Sequence, residues 1–156
     1  MNVFSPACVF RKSVLTDPSS GAGAYGLLLL RVVAGLMIFY IHGWHKLLGG
    51  IAYLQDGTSW KLAEEVAEMH TPAPIAAAFA ATLVQLVCSL LVAVGFCTRI
   101  NAILLTGALG GAILQNLLAD RDPQLAILYT LIVLTFVVAG GGRFSLDTKL
   151  FQPESR

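Results

Sequence analysis

Residues 71–98 contain no charged side chain. In water a run of that length would have to be hidden on every side. In a bilayer, whose hydrocarbon core is about 30 Å thick, it is a helix in its natural solvent. Residues 100–119 and 124–140 are also uncharged, and residues 21–44 carry only Arg31. Four spans of this kind predict an all-α, polytopic membrane protein folded as a four-transmembrane-helix bundle.

Composition agrees, because 12% charged residues against 56% hydrophobic ones is too little charge to coat a soluble globule, where about 25% is usual. A formal net charge of +1 gives no basic field for nucleic acid, so the bilayer is the partner the composition implies. Cys8, Cys88 and Cys97 are an odd number, widely separated and without a CxxC pair. They read as small apolar fillers and not as a disulfide framework or a zinc site.

Residues 1–21 form a polar, proline-containing cytoplasmic tail, 22–148 the membrane domain, and 149–156 a second cytoplasmic tail. The first span is too long for a signal-peptide core and is read as retained. After it, residues 49–70 mix Glu64, Glu65 and Glu68 with Trp60, Leu62, Ala63, Val66 and Met69. That segment is too polar to cross; its apolar spacing predicts a short helix at the interface between the first and second spans. Pro72 and Pro74 stand where a first helical turn accepts proline, and Gly140, Gly141 and Gly142 stop the last span. Links of a few residues make the last three spans antiparallel neighbours.

Orientation follows from the basic residues. Arg11, Lys12, Arg99, Arg143, Lys149 and Arg156 fall on the side of the N-terminus, against Lys46, Lys61 and Arg121 opposite. The excess places both termini in the cytoplasm.

Arg31 is a charge within a span and therefore a functional suspect. It stands nine residues in from Ala22, a depth of roughly 13 Å. Two readings are open: the guanidinium snorkels back to the headgroups, or it meets a specific buried partner, Gln85 among the candidates. Arg31, Gly35, Phe39, His42 and Lys46 share one face of the first helix. The face is either an interfacial helix end, anchored by Trp44 with Lys46 pointing outward, or a contact for a polar ligand or headgroup, a quinone with His42 as donor. Thr82, Gln85 and Ser89 form a polar stripe on the second helix, of the kind that hydrogen-bonds between helices. On the third, Gly107, Gly110 and Gly111 make a flat packing side, within the bundle or against a second chain.

Other chemistries find no support. His42, His45 and His70 are the only histidines, none on the last three spans, so a haem ligated between helices is disfavoured. No carboxylate or thiolate adjoins His42 and His45 to complete a metal site. The glycine triplet closes a helix instead of opening one, unlike a phosphate loop. No nucleophile motif is present, and no catalytic residue is assigned.

Three motifs stand in order at the ends of the spans: Arg31 with His42-Gly43 and Lys46-Leu47, then Gly95-Phe96-Cys97-Thr98-Arg99, then Gly142-Arg143-Phe144-Ser145-Leu146-Asp147. Together, over residues 24–148, they resemble the DoxX family. The resemblance implies a four-helix protein of the bacterial-type inner membrane. It also implies a link to quinone-dependent redox assemblies, as an accessory subunit without an intrinsic cofactor or a complete catalytic site, beside a membrane protein partner or further copies of itself. A small transporter or channel and a structural scaffold are the alternatives. Where such proteins often carry a membrane glutamate, this chain has Gln85, which cannot relay protons as a carboxylate would. The terminal motif implies a polar rim of Arg99, Arg143 and Asp147, with Asp147 pairing an arginine to pin the C-terminal segment.

Overall fold

The computed structural model describes residues 21–151 of the 156-residue chain. Most of both tails, with Cys8, Arg11, Lys12 and Arg156, lies outside the described residues. Among those described, all regular structure is helical.

Helix α1 (Gly21–Met37) continues through a π-helical stretch (Ile38–Trp44) directly into α2 (His45–Asp56). Next come α3 (Lys61–Glu68), α4 (Pro74–Val94), α5 (Thr98–Leu118), α6 (Gln124–Ala139) and the short α7 (Leu146–Phe151). Pro74 opens α4, where its missing N–H leaves nothing unpaired. Gly140, at φ 71°, ends α6.

Among the described residues, three helices are long and apolar enough to cross a membrane: Gly21–Asp56, Pro74–Val94 and Thr98–Leu118. Gln124–Ala139 is equally apolar but shorter, at 16 residues. The protein is therefore a helical, multi-pass membrane protein. The first helix does not stop at Trp44 as its sequence predicts. It runs for 36 residues, a length of roughly 50 Å, so its last turns lie beyond the hydrocarbon. The glycine pair there does not break it, because Gly49 and Gly50 lie against the Trp60 indole. A Cβ on Gly49 would stand 3.0 Å from the ring.

The helix expected between the first two spans is α3. Its Leu62 and Ala63 are buried in a cluster with Trp60 and Ala78, while Glu64 and Glu68 are exposed.

Successive helices run antiparallel: α4 packs on both α1 and α5, and α5 lies along α6. Ile38, Val92, Leu105, Leu109, Val133 and Phe136 fill the centre, and Leu29, Leu83, Ile103 and Val138 point outward. Burial of such side chains does little by itself to hold a bundle in lipid, since acyl chains are as apolar as leucine. Close fit and polar bonds must do it. Gly35 brings α1 close to α4: a Cβ there would meet the Ser89 carbonyl oxygen at 2.7 Å and the Ala93 Cβ at 2.8 Å.

Gly107, Gly110 and Gly111 play no such part within the described chain, since nothing lies within 4 Å of a Cβ built on any of them. Packing inside the bundle is thereby removed as their explanation. Thr82 and Ser89 are buried, yet each hydroxyl donates to a carbonyl of its own helix, Ala78 and Leu86 respectively. The interhelical bonding expected of that stripe is absent at these two residues, whose hydroxyls bond back about one turn along α4.

Candidate functional site

Two polar constellations interrupt the apolar interior. The first is a rim where the C-terminal ends of α4 and α6 meet the start of α5. The last carbonyls of a helix have no intrahelical donor, and a helix C-terminus carries partial negative charge. Arg31 sits between two such ends. Its Nε donates to the Ala93 carbonyl at 3.3 Å, one Nη to the Gly141 carbonyl and the other to the Phe144 carbonyl at 3.2 Å. The side chain is 1% exposed, so snorkelling is excluded.

Arg31 does lean toward its own N-terminus, as helical side chains do. What it reaches there is protein and not headgroups. Gln85 is not its partner, because it lies deeper in the bundle.

Asp147 complements this arrangement at a helix start. Cys97, at φ 44°, leads into α5 without a side-chain cap of its own. The Asp147 carboxylate supplies one from a distance. It accepts from the Cys97 N–H at 2.6 Å, the Thr98 N–H at 2.9 Å and the Thr98 hydroxyl at 2.8 Å. Its own N–H donates to the Gly95 carbonyl at 3.0 Å. Asp147 thus pins the C-terminal segment to the α5 N-terminus through these bonds, with the Arg31 charge acting on its carboxylate. Arg99 instead donates to the Val138 carbonyl near the end of α6, and Arg143 is exposed in the turn before α7. Thr98, Gly95 and Ser145 complete the rim. All three belong to the end-of-span motifs, which was the signal available for them.

Burial pushes the Asp147 carboxyl up. The bonds from Thr98 and Cys97 and the charge of Arg31 outweigh it and bring the group below its ordinary value. Its stabilising contribution is therefore complete above the unfolded value of about 3.9 and is lost as pH falls through the lower folded value. Asp147→Asn is expected to reduce stability at neutral pH by about 2 kcal/mol and to remove this acid dependence. Thermal unfolding in detergent across pH 2 to 7 is the check. A variant with the parental midpoint and the parental acid limb would contradict the capping role.

The second constellation lies inside the bundle. The π-helical stretch carries His42, whose ring meets the Tyr129 ring edge-on at 5.2 Å. Next to it, Gly43 is pressed on Leu86: a Cβ would stand 2.8 Å from the leucine Cδ2. Gln85 precedes Leu86, so His42 and Gln85 flank one helix contact and share a level of the bundle. Each leaves a polar atom buried and unpartnered among the described residues, His42 Nε2 and Gln85 Oε1. Buried polar groups are ordinarily satisfied, so each such exception calls for an explanation. A π-helical turn also recurs at functional positions because it re-aims side chains. Tyr129, whose hydroxyl points to the Met37 sulfur at 3.9 Å, was not singled out in the sequence. Its only signal was a phenol in a strongly apolar helix.

Lys46 does not join this group. It lies one turn further on, at the far end of the first helix, beside α3. The stripe of Arg31, His42 and Lys46 is thus inward-facing as read, but its members serve three different levels.

Among family models, the one described as DoxX matches residues 26–117. No curated protein and no solved structure matches the chain.

Proposed function

The chain belongs to the DoxX family, and from that premise we propose that it is an accessory subunit of a quinone-linked membrane redox assembly, holding a quinone headgroup at His42 and Gln85. The supporting observation is the pair of unpartnered buried atoms, His42 Nε2 and Gln85 Oε1. A quinone carbonyl accepts from an imidazole N–H, and a quinol hydroxyl donates to an amide oxygen. The two orphan groups therefore match the two faces of that redox couple. Tyr129, against the His42 ring, supplies an aromatic wall. Gln85 accepts a hydrogen bond but carries no ionisable proton, so it holds the headgroup without itself relaying a proton.

In this reading Gln124–Ala139 is the fourth span. Its 16 residues cover roughly 24 Å, and Pro123 and Gly140 at its ends complete the crossing. The excess of basic residues on the side of the N-terminus supports a cytoplasmic position for both termini, and the family resemblance a bacterial-type inner membrane.

The test uses the full chain in lipid nanodiscs and a short-chain benzoquinone as probe. Gln85→Leu is expected to weaken binding about tenfold while leaving the ligand-free protein as stable or more so, because the amide oxygen has no partner to lose. Loss of stability with unchanged binding would mean that Gln85 is structural and the reading wrong.

A second reading, a scaffold subunit, rests on the open glycine face of α5 at Gly107, Gly110 and Gly111, which another helix could approach closely. Gly107→Leu with Gly111→Leu should then shift the protein on native gels from an assembly to the single chain.

A further inference from the structure

At the end of the bundle opposite the arginine rim, α2, α3 and the turn between α5 and α6 enclose an open cleft of about 410 Å³. Lys46, Lys61 and Arg121 line it, with Glu65 as the one carboxylate, over a wall formed by Trp60. Trp60 is 4% exposed and fixed by the Phe79 ring at 4.5 Å and by the backbone of Gly49. The cleft is thus built on a rigid wall and is not a gap between mobile side chains.

Its charges do not balance. Glu65 accepts from Arg121 through Oε1 at 2.6 Å and from Gln115 through Oε2, so both its oxygens are engaged. Three cations less one carboxylate leave a formal excess of two positive charges around the space. Among the described residues, neither the Lys46 nor the Lys61 ammonium has a hydrogen-bonded counter-charge, although Lys46 is half-buried. Glu65 positions Arg121 and leaves the rest of its guanidinium facing the cleft. A guanidinium fork with two ammonium groups matches a tetrahedral dianion or a phosphodiester.

We propose that this cleft binds a phosphate group, carried by an anionic phospholipid headgroup or by a small phosphorylated solute. Both sources share the chemistry that Lys46, Lys61 and Arg121 recognise. The lipid source has the geometry in its favour, since the cleft lies at the end of the bundle where headgroups stand, and Leu48, between its lining residues Lys46 and Gly49, is exposed. Basic pockets at helix ends are a recurring way of holding lipid headgroups. The site is separate from His42 and Gln85, and stands or falls without them.

The experiment places the full chain in nanodiscs of phosphatidylcholine alone and follows the thermal midpoint and Trp fluorescence. One arm adds inorganic phosphate; the other dopes the disc with phosphatidylglycerol. A response only to the doped disc identifies the lipid, and a response to inorganic phosphate identifies the solute; either supports the site if Lys46→Gln with Lys61→Gln weakens it at least tenfold and raised salt weakens it further. Lys61→Gln alone, at an exposed residue without a bonded partner, is expected to give a partial loss in a protein that folds normally. No response in either arm, or a response that both variants leave unchanged, would overturn the proposal.

Discussion

Replacing Arg31 with methionine is expected to destabilise the bundle by about 3–5 kcal/mol. The guanidinium joins three segments: the end of α4 through Ala93, the glycine turn through Gly141, and the approach to α7 through Phe144. Methionine fills a similar volume but donates nothing, so three carbonyls at a buried position lose their donor at once. Beside lipid no water replaces it. Charge alone does not substitute for the fork, so Arg31→Lys should remain closer to the methionine variant than to the parent. Unfolding in mixed micelles gives the number; a midpoint within experimental error of the parent would mean that the carbonyls find other donors and that the rim is not held by Arg31.

Gly95→Ala is expected to be nearly as damaging, at about 3 kcal/mol. Gly95 ends α4 at φ 82°, a conformation that penalises any Cβ. The space is also taken, because a Cβ would fall 2.6 Å from Arg31 Nη1 and 2.8 Å from the Ser145 Cβ. The two substitutions share this contact and should not add. In the Arg31→Met background the steric part of the alanine penalty falls and the backbone part remains, so a double-mutant cycle must come out sub-additive. Strict additivity would show that the glycine serves only its φ angle.

These two variants also mark what could be read from the chain beforehand. The spans, their antiparallel order, the opening at Pro74 and the stop at Gly140 all follow from hydropathy and from the backbone limits of proline and glycine. The inward face of Arg31, Gly35 and His42 follows from helical periodicity. The partners of Arg31 do not, because backbone carbonyls have no sequence signature; a guanidinium in a span looks the same whether it meets lipid or two helix ends. Asp147 was legible as a pin but not as a cap, since the Cys97 and Thr98 N–H groups and the Thr98 hydroxyl that it accepts from lie about fifty residues away in the chain.

The π-helical stretch was invisible for a related reason. Nothing in residues 38–44 forbids ordinary helix, and the tight fit of Gly43 on Leu86 within the wider turn is a contact that only the fold creates. The cleft was missed because its cations come from three separated stretches, and only the fold brings Lys46, Lys61 and Arg121 to one wall. By contrast, Gln85 was legible as a polar group in a span, and the structure adds the fact that its oxygen has no partner.

The account centres on His42 and Gln85 as the place where this bundle meets a redox ligand. The most direct test is native mass spectrometry of the full chain released from its own membrane in a mild detergent, with lipid-soluble cofactors identified from the same ions. The account predicts a retained quinone, bound together with other redox subunits and lost from Gln85→Leu. A chain that always emerges alone and quinone-free, or one whose quinone persists undiminished in that variant, would contradict it.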